Sequence, residues 1–197
     1  MKPKIISWNV RRLNKQAKRL QVRNFLRQWQ GDIICLQETK LELITRQIVR
    51  SLWRGHHVGW SYLPSKGASG GILIMFDKRV VERLEHCVGD FSVACFFVNI
   101  EDGFRWAFIG VYGPNLDVER RSMWEELAGI LSWWELPSCL GGDFNVSHFP
   151  SERSNTSYIT PAMSDFSDFI SEQVLMDLPL TGGSCLPGPT LENSHLG

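Results

Sequence analysis

The chain has 197 residues, 43% hydrophobic and 21% charged, a balance that excludes a disordered polyelectrolyte and suffices for one domain with a substantial core. No apolar run reaches the roughly eighteen residues of a membrane span, and "MKPKIISWNV" holds too short an apolar stretch for a secretory signal. The formal net charge of zero hides a split: 13 Lys/Arg against 3 Asp/Glu in residues 1–54, and 8 against 18 in residues 55–197. Solvated helix faces would explain that split, and so would a basic rim facing a polyanion.

In chain order, "KIISWNV" reads as a buried strand from its apolar run, and Val22, Phe25, Leu26 and Trp29 then fall at helical spacing over 18–30, with Gly31 as the stop. "DIICLQ" predicts a second apolar strand. Leu41, Ile44, Ile48 and Leu52 predict a helix over 41–52. From 57 to 111 the pattern is all strand: "HVGWSYL", "GILIMF", "VVERLEH", "FSVACFFVNI" and "FRWAFIGVY". A helix over 117–135 buries Met123, Leu127, Ile130, Leu131 and Trp134, and "SCLGGDF" is one more short strand. "TPAMSDFSDFI" opens a last helix with Thr160 as cap and Pro161 in the first turn. About eight strands and four helices make an α/β protein. The five-strand middle is too long for a simple alternating fold, so two packed sheets are expected. The five cysteines (35, 87, 95, 139 and 185) form no CxxC pair, which indicates reduced thiols in an intracellular protein, without disulfides or zinc.

Four places put polar residues at a strand end. Asn9 follows "IISW", where a turn-forming Asn is the ordinary explanation. Glu38 ends a strand so apolar that its carboxylate is costly unless paired or metal-bound. Tyr112 precedes a Gly-Pro turn and reads equally well as a core aromatic. In "LGGDFNVS", strand periodicity puts Asp143 and Asn145 on one face and Phe144 on the other: a proton or cation acceptor beside a donor for an anionic oxygen. The set is rich in oxygen and has no His-Cys cluster, which selects Mg²⁺ or Mn²⁺ over zinc. Phosphate chemistry at a metal needs such groups.

The ordered stretches "SWNVRRLN", "DIICLQETK", "KGASGGILIMFD", "GVYGPN" and "GGDFNVS" resemble the endonuclease/exonuclease/phosphatase superfamily, the deoxyribonuclease-I-like fold. The wording is most similar to endonuclease domains of LINE-type retrotransposons, over about residues 4–183, with 184–197 as an irregular tail. The resemblance implies a two-sheet sandwich flanked by helices and a Mg²⁺-dependent, DNA-nicking phosphodiester hydrolase. Carried over by position, Glu38 is the principal Mg²⁺ ligand and Asn9 assists it, Tyr112 contacts the scissile phosphate, Asp143 orients or deprotonates water, and Asn145 binds a phosphate oxygen. Ser69, in the "GASGG" turn, and Arg11 are secondary candidates for substrate contact.

Arg12 stands where the resembled motif more often has glycine. The family's closing "SRLDR" strand and catalytic Asp-His pair have no counterpart; His195 is a distant substitute and His148 a loop residue, so a truncated C-terminus and impaired activity are expected. The resemblance also implies DNA as partner, a monomer, a reverse-transcriptase domain in full-length relatives, and a nuclear or other intracellular location. A non-catalytic domain with weak nucleic-acid binding is the competing reading. A superfamily branch acting on inositol phosphates or phospholipid head groups fits the basic first quarter less well.

Overall fold

The computed structural model describes residues 2–67, 69–148 and 158–178. Its elements are β1 (Ile5–Asn9), α1 (Gln16–Trp29), β2 (Ile33–Gln37), α2 (Arg46–Leu52), β3 (Val58–Leu63), β4 (Ile72–Asp77), β5 (Val81–Val88), β6 (Ser92–Asn99), β7 (Arg105–Tyr112), α3 (Asp117–Trp134), β8 (Ser138–Asp143) and α4 (Pro161–Glu172). They form two four-stranded sheets, ordered β1-β2-β4-β3 and β5-β6-β7-β8.

The period of two along each strand sorts the core into three layers. Ile33 and Cys35 of β2 face Val93, Cys95, Phe97 and Phe108 of the second sheet, filling the space between the sheets. Ile34 and Leu36, from the opposite face of β2, pack with Val22 and Leu26 of α1 and Val49 and Leu52 of α2. On the far side, Ala94, Ile109 and Val111 pack against Met123, Trp124 and Leu127 of α3 and Phe169 of α4. The result is the expected α/β sandwich, layered helix, sheet, sheet, helix. No helix among the described residues is long and apolar enough to cross a membrane.

Pairing direction places the site. β1 runs parallel to β2 and β7 parallel to β8, so each sheet contributes two strands that end together. Those pairs deliver Asn9 and Glu38 from one sheet, Tyr112 and Asp143 from the other.

Local expectations needed two corrections. The first helix ends at Trp29 with a left-handed cap at Gln30 (φ 51°), so Gly31 is not its stop. Gly31 is small because a Cβ there would collide with Ile6. The second helix spans only 46–52, because Thr45 is extended and its hydroxyl accepts the Ile48 N–H. The segment before it spends its backbone groups on the 65–71 loop instead (Thr39 N to Gly71 O, Lys40 N to Gly70 O, Ser65 N to Leu41 O). Ile44 still reaches the core from that loop, which is why its spacing imitates a helix. The third helix ends at Trp134 and the last one begins as expected, with Thr160 accepting the Met163 N–H. The domain end placed at 183, the tail, Cys185 and His195 lie outside the described residues.

Candidate active site

Asn9 closes β1, and its Nδ2 donates to Asp143 Oδ2 at 2.7 Å. This bond joins the end of the first sheet to the end of the second, residues 134 apart in sequence. Asn9 Oδ1 accepts the Arg11 N–H at 2.9 Å, which fixes which way the amide points. Tyr112 and Asp143 are register partners across β7 and β8. Asp143 Oδ1 accepts the Asn145 N–H at 3.0 Å, and Asn145 Nδ2 donates to Gly113 O at 2.5 Å. Both carboxylate oxygens of Asp143 therefore accept an amide N–H, one from each side of the cleft.

Asp143 and Asn145 do share the cleft, but not through strand alternation. β8 stops at Asp143, and Asn145 has a left-handed backbone (φ 52°). The turn is closed by Asp143 taking the N–H two residues on, a habit of Asp in turns. Glu38 likewise lies past the end of β2 with φ 55°. Of the seven non-glycine residues with positive φ among the described residues, four (Arg11, Glu38, Lys40 and Asn145) are in these loops. Such backbones cost roughly 1–3 kcal/mol each and persist where the surroundings over-determine them, which is common at functional sites. Arg12 is not among them, so its loop does not demand the glycine of the resembled motif.

The Tyr112 phenol reports the electrostatics. Burial pushes its pKa up from 10, the Glu38 carboxylate adds to the rise, a hydrogen bond with Asn145 offsets part of it, and Asp143 raises it further. One hydroxyl thus senses groups from both sheets, and it stays a neutral donor at physiological pH. Glu38 meets Lys40 Nζ at 3.0 Å, with the two side chains 19% and 25% exposed. Ser69 is exposed and paired by backbone with Lys66, and Arg11 is exposed. Those two stand at the rim. His148 packs edge-on against Phe166.

Arg120 went unread in the sequence. Though on the core side of α3, it is buried and donates to Pro114 O (3.2 Å), Asn115 O (3.2 Å) and Asn145 O (3.0 Å), and pairs with Asp117. It staples the loop after Tyr112 to the turn after Asp143. Its signal was an arginine three residues before Met123 and seven before Leu127, on the helix's apolar face.

The donor set suits a hard cation. Glu38 already holds an ammonium, and Asn9 Oδ1 keeps a second lone pair beside the one Arg11 uses. Among the described residues no three His, Cys, Asp or Glu side chains converge into a closed metal cage. Glu38 and Asn9 could hold a hard cation whose remaining ligands are water or substrate oxygens. Cys35 and Cys95 are free but buried, with pKa values pushed up to about 12 and about 11, so they supply no thiolate.

Two facing sheets with outer helices, and a cluster of polar side chains where two parallel strand pairs end, define a deoxyribonuclease-I-like protein. The chain belongs to the endonuclease/exonuclease/phosphatase family, which it matches over residues 6–190. It is 32% identical to an exodeoxyribonuclease of Bacillus subtilis over 164 residues, covering 77% of this chain and 62% of that protein. It is 31% identical to recombination repair protein 1 of Drosophila melanogaster over 166 residues, covering 77% of this chain and 23% of that one. The chain thus spans less than two thirds of the length of either relative. Among solved structures, the AP endonuclease of Leishmania major superposes with a TM-score of 0.64 at 20% identity, over 87% of this chain and 66% of that one. The Xenopus laevis APE2 catalytic domain does so at 0.63 and 19%, over 84% and 67%. At such identities these structures establish the fold.

Proposed function

We propose that this chain acts on DNA as a Mg²⁺-dependent phosphodiester hydrolase, of the type found in retrotransposon endonucleases. The carrying observation is the Asn9–Asp143 hydrogen bond at 2.7 Å, which brings a metal-side residue of one sheet to the water-side carboxylate of the other. The family match, the exodeoxyribonuclease and repair relatives, and the five ordered motifs support the reading; Mn²⁺ is an alternative ion.

Glu38 and Asn9 would hold the ion, which when bound would neutralise phosphate charge and polarise the phosphorus centre. Asp143, steadied by two amide N–H groups, orients the attacking water and takes its proton. Tyr112 stays protonated and donates to a phosphate oxygen. Asn145 Nδ2, which donates to Gly113 O, would be the second donor to that anion. Ser69 and Arg11 at the rim contact the flanking backbone.

Thermal melts with and without millimolar Mg²⁺ test the metal: wild type should be stabilised by linkage and Glu38→Ala should not. Equal shifts in both would remove Glu38 from the site. Plasmid nicking in Mg²⁺, abolished by Asp143→Ala, tests the chemistry.

A second reading, binding without turnover, is favoured by one observation. Among the described residues, the side-chain oxygens of Asp143 accept from two amide N–H groups, which hold the carboxylate but cannot relay its proton. A missing general acid or base typically costs about 10²–10⁴-fold in rate. Mg²⁺ stabilisation and DNA binding without nicking would decide for this reading.

A further inference from the structure

The two outer helix layers carry opposite charge. On the first sheet, α1 and α2 hold six cations (Lys18, Arg19, Arg23, Arg27, Arg46 and Arg50) and no carboxylate. On the second sheet, α3 and α4 hold seven carboxylates against two arginines. An ordinary solvated helix interleaves signs so that residues four apart attract. Here Arg19, Arg23 and Arg27 follow one another at that spacing, as do Arg46 and Arg50, so each helix carries like-charge repulsion.

The protein does little to relieve it. None of the ion pairs among the described residues involves α1 or α2. Arg19 is partly used, with Nη1 donating to Leu13 O and Asn14 O, and Lys18 lies over the Trp8 ring. The shielded Nε of Arg23 has no acceptor. Arg27, Arg46, Arg50 and, just beyond α2, Arg54 are exposed.

Position adds to charge. α1 starts a short loop after Asn9 and α2 a short loop after Glu38, so both helices lead away from the cleft along the outside of the first sheet. We infer that the outer face of α1 and α2 is a contact surface for the phosphate backbone of a DNA duplex, holding the flank of a substrate whose reacting phosphate lies in the cleft. The inference rests on the proposed DNA activity for its partner. It adds a face that the cleft residues do not include. Guanidinium groups suit this role, since they present paired donors to phosphate oxygens.

The test measures binding of residues 1–197 to a labelled duplex several helical turns long, in EDTA, so that hydrolysis plays no part. Affinity is followed against salt for wild type, for the quadruple variant Arg27→Gln, Arg46→Gln, Arg50→Gln, Arg54→Gln, and for the corresponding Arg→Lys variant. Each phosphate contact contributes about 0.9 to the slope of log affinity against log salt, so the Gln variant should lose about 3 to 4 in slope and on the order of tenfold or more in affinity at physiological salt. The Lys variant should keep most of the slope, and melting temperature should not fall in either. An unchanged slope in the Gln variant overturns the inference while leaving the cleft reading intact. Wild type that ignores the duplex, or prefers anionic phospholipid vesicles to it, overturns the inference together with the DNA reading on which it rests. Nicking lost in Asp143→Ala tests the cleft separately.

Discussion

β2 and β8 each lead to a candidate site residue, yet they are held in opposite ways. β2 is buried at all five positions and bonded on both sides, to β1 and β4. Glu38 leaves it from a rigid, apolar support. β8 is half-exposed along its whole length and, among the described residues, bonded only to β7. Asp143 is therefore placed by polar ties instead: Asn9 from the other sheet, the Asn145 N–H, and Arg120 behind that turn. One half of the site is positioned by the hydrophobic core, which tolerates no slack. The other half depends on a few hydrogen bonds, each of which a single substitution can remove.

The largest effect should come from pushing β8 off β7, its hydrogen-bonded partner among the described residues. A Cβ at Gly142 would overlap the carbonyl of Val111, so Gly142→Ala should cost about 3 kcal/mol, the upper end for overpacking. Gly129→Ala, on open helix surface, should instead stabilise by roughly 0.5–1 kcal/mol. Urea unfolding of the two variants measures the contrast, and similar midpoints would show that β8 does not need this close approach.

Removing the staple comes next. Arg120→Met leaves three loop carbonyls without their donor and should cost about 2 kcal/mol. Amide hydrogen exchange at Gly113 and Asn145 should quicken, while Ile34–Leu36 of β2 stay protected except through global unfolding. Uniform loss of protection would mean that Arg120 supports the whole fold and not the β8 end in particular.

A smaller loss, about 1 kcal/mol, is expected for Asn9→Ala, which removes the bond across the sheets. A double-mutant cycle with Asp143→Ala should return most of that loss as coupling. Coupling near zero would leave the 2.7 Å contact without energetic weight.

The smallest effect is a titration. The folded-state pKa of Tyr112 is raised, so its contribution to stability is fully present below the ordinary tyrosine value near 10 and lost as pH climbs through the raised value. Alkaline loss of stability should be shallower in Tyr112→Phe. Because Glu38 outweighs Asp143 among the causes, Glu38→Gln should lower the ionisation pH of Tyr112 more than Asp143→Asn does. The reverse order, read by ultraviolet titration, would place the phenol nearer the β8 side.

Local physics was readable from the chain. The eight strands and four helices of the described residues are all expected from the sequence, because alternation and helical spacing are properties of neighbouring residues. The Thr160 cap with Pro161 behind it was anticipated for the same reason. The shortened second helix was not, since Leu41 and Ile44 satisfy helical spacing while the backbone around them pairs with a distant loop. Five polar residues at strand ends stood out because such groups sit badly beside apolar runs, and Asn9, Glu38, Tyr112, Asp143 and Asn145 do converge.

How they converge was a matter of tertiary structure. The left-handed turns at Glu38 and Asn145, the amide of Asn9 on Asp143 and the reach of Arg120 between two loops all depend on partners far away in sequence. The sequence by itself determined the elements, the two-sheet class and the residue types of the cleft, since burial preference is written position by position. Only the packing of one sheet on the other decided which polar groups meet, because hydrogen bonds act over about 3 Å and nothing along the chain encodes that distance.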